Sequence, residues 1–255
     1  MGTGLDNVKG IYLEGIAGGN AREAVDKYTG HRYTQHSTGV GDGAEGFLTF
    51  FEPFVERNPD REIEIVRIFE DGPWVFCSAY QSLNKGAAQW VTMDLFYTDA
   101  KGLILEHWDT IAEYKPETLS GEDMVGGARE VNLAANTQAS KDVVLEYTKQ
   151  VRQEADVSKL DQFVAEDLIE HAATIGAGRS GLAEWLASDA AGQFEMLFQL
   201  VGQGDFVTTY CKRRAGDKDI AAFDIYRVAD GKIVEHWMNE EEISPRDQWG
   251  NSGKF

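Results

Sequence analysis

The sequence predicts an α+β protein made of two tandem copies of one small domain. Three observations lead there: an internal repeat, helix-period patterning at the start of each copy, and a strand-rich second half in each. Tyr33-Thr34-Gln35-His36, followed by Gly41, Gly43 and Gly46, recurs 135 residues later as Leu168-Ile169-Glu170-His171 with Gly176, Gly178 and Gly181. Gly102-Leu103-Ile104-Leu105-Glu106-His107-Trp108 recurs as Gly231-Lys232-Ile233-Val234-Glu235-His236-Trp237, where the offset has fallen to 129. Between these anchors Asp94-Leu95-Phe96 matches Asp224-Ile225-Tyr226 at 130, and Gly72 and Val75 match Gly204 and Val207 at 132. Stepwise loss of this kind falls at turns, where duplicated folds diverge.

Each copy opens with an amphipathic helix, marked by Leu5, Val8, Tyr12 and Ile16 in the first and by Val144, Tyr147 and Val151 in the second. A second helix is predicted from Asn20 or Ser158, both good N-caps with an acidic residue three positions on, Glu23 or Asp161. A third follows each glycine cluster and carries Phe47, Phe50, Phe51 and Phe54, or Leu182, Trp185 and Leu186. Strands then take over, beginning with Ile63, Ile65, Val66 and Ile68 and continuing through runs around Trp74 to Tyr80, Gln89 to Thr98 and Leu103 to Ala112; copy two repeats them from Phe194 to Ile243. The domains so drawn are 1–115 and 140–243. Residues 116–139, glycine-rich, acidic and without periodicity, read as a linker, and 244–255 as a tail resting loosely on copy two.

Composition narrows the function classes. Of the 255 residues, 43 are acidic and 24 basic, a net charge of −19 that argues against a nucleic-acid partner or an anionic membrane surface. Cys77 and Cys211 form no C-x-x-C motif, so neither a disulfide scaffold nor a thiolate zinc site is expected. The N-terminus shows no basic and apolar leader pattern, and the expected location is the cytoplasm. No dinucleotide fingerprint, P-loop, nucleophile elbow or zinc-helix motif occurs, so the expectation is a protein with no cofactor and no metal.

The succession of three helices and a β-rich half, with His36-x4-Gly41-x-Gly43 after helix two and the closing strand Gly102-Leu103-Ile104-Leu105-Glu106-His107-Trp108-Asp109, resembles the SnoaL-like family of the nuclear transport factor 2-like superfamily. Copy one is the closer match, and its motifs look like those of SnoaL-like proteins assigned as aldol-condensation enzymes. The resemblance implies two cone-shaped α+β domains, each with three helices closing over a curved antiparallel sheet around a mostly apolar pocket. It implies a small hydrophobic ligand, and relatives that are polyketide cyclases, isomerases or dehydratases working by acid/base chemistry. Cones of this superfamily pair through their sheets, so the two copies form a pseudo-dimer within one chain or a homodimer of chains.

Period-two alternation along the last strand of copy one sets Leu105, His107 and Asp109 on one face and Ile104, Glu106 and Trp108 on the other. If the first set faces the interior, Asp94 and Phe96 on the neighbouring strand join it, giving two carboxylates and an imidazole suited to general acid/base work. The proposed catalytic residues are therefore Asp109, the position that resembles the family's acid/base aspartate, together with Asp94 and His107. The alternative is that His107 merely pairs with an aspartate as a structural ion pair, and the sequence admits both. Further pocket candidates are His36, Trp90 and Tyr80 in copy one, and His171, Asp224, His236 and Tyr226 in copy two. His36 and His171 either reach the pocket or fasten the glycine loop through backbone carbonyls. Copy two has Met238 in place of Asp109, and is either a different site or a degenerate one. The leading expectation is a cofactor-independent acid/base enzyme acting on a small hydrophobic carbonyl or polyketide-like molecule. Its rival is a non-catalytic module that binds a small molecule or pairs with proteins.

Overall fold

The computed structural model describes residues 3–255 and resolves two compact units. The first comprises the chain up to Glu113 together with Ser244–Phe255, and the second is Tyr114–Ile243. Two boundaries thus differ from the sequence reading. The stretch 116–139 belongs to the second unit, whose first long helix already starts at Thr137. The residues from Ser244 onward belong to the first unit and not to copy two, because backbone and side-chain hydrogen bonds tie them to residues 36–40. Composition alone does not reveal such partners.

The first unit runs α1 (Gly4–Gly10, continued as a π-helical stretch, Ile11–Ala17), α2 (Ala21–Tyr28), β1 (Thr29–Gln35), α3 (Gly43–Arg57), β2 (Arg61–Asp71), β3 (Trp74–Leu83), β4 (Ala88–Thr98) and β5 (Ile104–Glu113). In the second unit the same order is α4 (Thr137–Tyr147, with π-helical Thr148–Gln153), α5 (Leu160–Phe163), β6 (Val164–Glu170), α6 (Gly178–Leu186), β7 (Gln193–Gln203), β8 (Phe206–Ala215), β9 (Lys218–Ala229) and β10 (Lys232–Glu242). Asn20 stands at the N-cap of α2 as expected, although its side chain bonds no amide. In copy two Asp156, two residues before the expected Ser158, caps a 3-10 turn (Val157–Lys159) that leads into α5, and accepts the Ser158 amide.

Each sheet has five strands, in the order β1-β5-β4-β3-β2 and β6-β10-β9-β8-β7. Neither is purely antiparallel: β1 runs parallel to β5, and β6 to β10. The sequence pattern assigns no strand to these two edge segments, each only seven residues long and directly following a helix. Bulges in β2 between Ile65 and Arg67, and in β7 at two places, bend the long outer strands over the helices.

A further irregularity changes which residues face inward. At the start of β5 Ile104 pairs with Thr98 and Glu106 with Tyr97, leaving Leu105 as the extra residue of a bulge. One extra residue inverts the alternation. Ile104, fully buried, therefore joins the helix-side core, and Leu105 does not share the face of His107 and Asp109 as the simple period required.

The helices pack on one face of each sheet. In the first unit Val8, Tyr12 and Val25 meet Val75, Cys77 and Phe96, and burying each such side chain contributes roughly 1.5–3 kcal/mol. The π-helical stretch widens the turn so that neighbouring Ile11 and Tyr12 are both buried together with Ile16. The glycine clusters have a packing cause: a Cβ on Gly46 would stand 2.1 Å from Gly41 O, and one on Gly181 2.1 Å from Gly176 C. Backbone meets backbone there, in both copies. Among the described residues no helix is long and apolar enough to cross a membrane.

Candidate functional site

A cavity of about 280 Å³ lies between the helices and sheet of the first unit. Its walls are Ile11 and Ile16 from the first helix, Phe47, Phe50, Phe51 and Phe54 from α3, and Leu83, Trp90 and Ile111 from the strands. Phe50, Trp90 and Ile111 are each more than a third exposed, so the mouth opens on their side. The polar groups gather elsewhere on the lining: Tyr12, Tyr33, Thr92, Asp94, His107 and Asp109.

Strand register brings these groups together. Asp94 on β4 lies directly opposite Asp109 on β5, and Phe96 opposite His107. On the other side of β5 the parallel strand β1 sets Gln35 beside His107. His107 Nδ1 donates to Gln35 Oε1 at 2.8 Å, and its Nε2 meets Asp94 Oδ1 at 2.9 Å. An amide oxygen only accepts, so Nδ1 carries a hydrogen and a single proton is shared along the Nε2···Oδ1 axis. Asp94 is buried; its other oxygen, Oδ2, has no hydrogen-bond partner within 3.5 Å among the described residues, and the Tyr12 phenol is directed at this carboxyl. Burial without a partner is costly for a carboxylate oxygen.

Tyr12 donates to or accepts from Thr92 Oγ1 at 3.2 Å, and its phenol is pushed far up by burial and then by the nearby carboxylate of Asp94. Burial likewise pushes Tyr33 up, against a hydrogen bond to Gln35. Both phenols hold their hydrogens at neutral pH and can give them to a ligand oxygen. Asp109 differs from Asp94. Burial pushes its carboxyl up, but Lys254, His107 and hydrogen bonds from Lys254 and Ser37 outweigh that, and the net position is below the usual range. Lys254 Nζ sits 2.8 Å from Asp109 Oδ1. Asp94, His107 and Asp109 present ligand-type atoms within 4.8 Å of one another, but the cation already placed against Asp109 is the Lys254 ammonium.

The other residues singled out in copy one lie elsewhere. Phe96 and Trp90 line the cavity, and Phe96 stacks on His107 with ring centroids 4.7 Å apart. Tyr80 does not line it: its hydroxyl accepts from Gln89 on the other face of the sheet, because the pleat turns position 80 away from the helices. His36 is also outside the cavity. It stacks on Trp108 at 4.5 Å, donates from Nδ1 to Gly253 O at 2.7 Å and faces Glu106 through Nε2. Of the two readings of the loop histidine, fastening backbone is the geometry seen. Trp108 is buried beneath it and tilts against Trp74.

The second unit repeats the framework with different chemistry. His171 stacks on Trp237, donates from Nδ1 to Asp123 O at 2.7 Å and meets Glu235 at 3.1 Å, outside the interior like His36. His236 bridges two carboxylates, with Nδ1 2.8 Å from Glu170 Oε2 and Nε2 3.0 Å from Asp224 Oδ1. Burial alone would lower the imidazole, but Glu170 and Asp224 overcome it and raise its pKa to about 9. Asp224 is itself pushed up by burial and pulled below the usual range by His236 and Arg152. Arg152, buried, lies 3.8 Å from Asp224 and over the rings of Trp185 and Phe194. Tyr226 stacks on His236 at 5.0 Å. The groups are therefore together, but each faces a protein partner, and an arginine fills the place that Ala17 takes in the first repeat.

Sequence reasoning missed Gln35, Tyr12, Tyr33, Lys254, Glu170 and Arg152. Gln35 and Glu170 were visible as matching positions of the repeated motif, one residue before the histidine. Lys254 had no local signal.

No family model matches the chain, and no curated protein does. Among solved structures the chain is similar to a candidate polyketide cyclase from Bacillus cereus ATCC 10987, at 17% identity and a TM-score of 0.37, covering 41% of this chain and 71% of that one. It is similar to a candidate ketosteroid isomerase from Kribbella flavida DSM 17836, at 14% identity and a TM-score of 0.39, covering 44% and 84%. An NTF2-like protein of unknown function from Mesorhizobium loti matches at 21% identity and a TM-score of 0.36, covering 41% and 93%. Each of these matches spans less than half of this chain.

Proposed function

We propose that the first unit catalyses cofactor-independent proton transfer on a small, mostly apolar carbonyl compound, as an aldol cyclase, isomerase or dehydratase. The observation that carries this reading is Asp94: a buried carboxylate that lines an apolar cavity, with one oxygen on His107 and the other, itself almost fully enclosed, without a hydrogen-bond partner within 3.5 Å among the described residues. That oxygen takes a proton from carbon next to the carbonyl. The electron pair moves onto the carbonyl oxygen, where a phenol from Tyr12 or Tyr33 meets the developing charge. His107 steadies Asp94 throughout and is itself oriented by Gln35. Asp109, neutralised by Lys254, is assigned an electrostatic role in place of the proton-transfer role that the motif suggested.

The cavity has room for a ligand on the order of a dozen non-hydrogen atoms. A panel of cyclic 1,3-diketones and β,γ-unsaturated ketones of that size, incubated in D2O and followed by mass spectrometry, tests the reading. Wild-type protein accelerates α-deuterium uptake into at least one of them, and Asp94→Asn does not. If compounds bind by calorimetry yet wild type and Asp94→Asn exchange alike, the cavity only binds and the non-catalytic reading replaces this one.

The second unit is proposed to be non-catalytic. Arg152 is the specific reason, since its guanidinium neutralises Asp224 and fills the interior.

A further inference from the structure

Lys254 reaches the cavity lining of the first unit from the far end of the chain. Its ammonium is 1% exposed and donates to both Asp109 O, at 2.9 Å, and Asp109 Oδ1, at 2.8 Å. The segment that carries it is tightly fastened. Gly250 N donates to Thr38 O, Asn251 Nδ2 donates to Ser37 O and Val40 O, and His36 donates to Gly253 O. Gly253 has φ +107, and a Cβ there would stand 2.3 Å from the Trp249 ring, so the turn that aims Lys254 inward needs glycine.

The charge is placed where it decides something. Asp94 and Asp109 face one another across the β4–β5 ladder, and two carboxylates so opposed resist joint ionisation. The groups facing Asp109 are Asp94 from β4, His107 on its own strand, Tyr33 from β1, Ser37 from the following loop and Lys254. Only Lys254 brings a permanent positive charge.

The repeat supplies an independent comparison. His171 donates to Asp123 O as His36 does to Gly253 O, so Met124 follows the histidine's acceptor in the second unit as Lys254 does in the first, and Met238 replaces Asp109. Both methionines are buried. The copy that lacks the anion also lacks the cation.

We propose that Lys254 is a positioning residue of the first unit's cavity: its ammonium holds the Asp109 anion and offsets its charge, so that Asp94 opposite can also ionise and accept a ligand's proton, and it makes Ser244–Phe255 part of the site. The proposal rests on the acid/base reading above, but its first test does not. The Asp109 carboxyl is titrated by ¹³C NMR in wild type, Lys254→Gln and Lys254→Arg, with protection of the Gly250 amide reporting that the segment stays seated. Glutamine keeps an N–H donor, on a side chain one bond shorter, and removes the charge. The Asp109 midpoint rises by about 1–2 pH units in Lys254→Gln and by less than half of that in Lys254→Arg. An unchanged midpoint in a seated Lys254→Gln protein overturns the proposal. Should glutamine unseat the segment, the Lys254 side chain is titrated through its ¹³Cε in Asp109→Asn, where its midpoint falls by more than about one unit; no fall overturns the proposal as well. In the α-exchange assay the acid limb of the kcat profile, set by Asp94, shifts in Lys254→Gln, where the charge opposite it is no longer offset, and returns in Lys254→Arg. A shifted Asp109 beside a wild-type protein inert toward every probe upholds the role of the charge and overturns the acid/base reading alone.

Discussion

Glu170 stands against His236 at the register position where the first sheet sets Gln35 against His107. One copy thus gives its histidine one carboxylate and an amide, and the other gives it two carboxylates. With an amide on Nδ1 a single proton is left to shift between His107 and Asp94. With carboxylates on both nitrogens the imidazolium of His236 is held from either side.

Gln35→Glu should therefore convert the first site toward the second. The added carboxylate holds His107 as imidazolium whether or not Asp94 needs the proton, and the residues around it stay in place. The α-exchange rate is expected to fall at least tenfold, with cavity binding of the same ketone, measured by calorimetry, changed far less. An exchange rate equal to wild type would contradict the role given to the shared proton.

The second unit should show the complementary pH dependence. His236 has a folded pKa raised to about 9, above its unfolded value of about 6.5. Its contribution to stability is fully present below the unfolded value and is lost as pH rises through the folded one. Asp224 is shifted downward, so its contribution is present above the unfolded aspartate value and lost as pH falls through the folded one. Glu170→Gln removes one of the two anions on His236. It should destabilise the protein at pH 7 by on the order of 2–3 kcal/mol and flatten the loss of stability between pH 7 and 10. Thermal denaturation of both proteins across that range measures it, and parallel curves would refute the assignment.

The repeat, the helix order and four strands of each sheet were legible because they rest on periodicity and on residues a few positions apart. The convergence of Asp94, His107 and Asp109 on one cavity was legible for the same reason, since neighbouring strands align over short separations. The edge strands β1 and β6 escaped notice because each has only seven residues and pairs with a strand far along the chain. Leu105 was assigned to the wrong face because a bulge is a single uncompensated residue, invisible to a period-two count. Lys254 lies 145 residues from Asp109, and nothing in its surroundings shows that it is buried.

The glycine clusters make a structural prediction that is independent of function. Gly46→Ala and Gly181→Ala each place a methyl within van der Waals exclusion of the glycine backbone across the loop, at Gly41 and Gly176. Backbone cannot swing aside as a long side chain can, so each change should cost roughly 1–3 kcal/mol. Chemical denaturation of the single variants checks this. A shift below half a kcal/mol at both sites would mean that the loops yield and the close approach is not what the repeated glycines serve.

The strongest contrast lies between Asp94 and Asp224, the same strand position in the two copies. Asp94 leaves one oxygen without a hydrogen-bond partner within 3.5 Å among the described residues, and an asparagine in its place can still meet His107 by turning its amide. Asp94→Asn should thus change stability by less than about 1 kcal/mol while lowering α-exchange by roughly 10²–10⁴-fold. Asp224 accepts from His236 and neutralises Arg152, all buried. Asp224→Asn strands Arg152 and leaves His236 with Glu170 alone, and breaking such a cluster from one side costs about 3–5 kcal/mol. Because the sites sit in different units, its effect on exchange in protein that remains folded should be small. Measuring exchange and denaturation midpoints for both variants separates a group kept for chemistry from one kept for folding. Equal destabilisation by the two substitutions, with exchange untouched by either, would leave the first cavity no claim to chemistry.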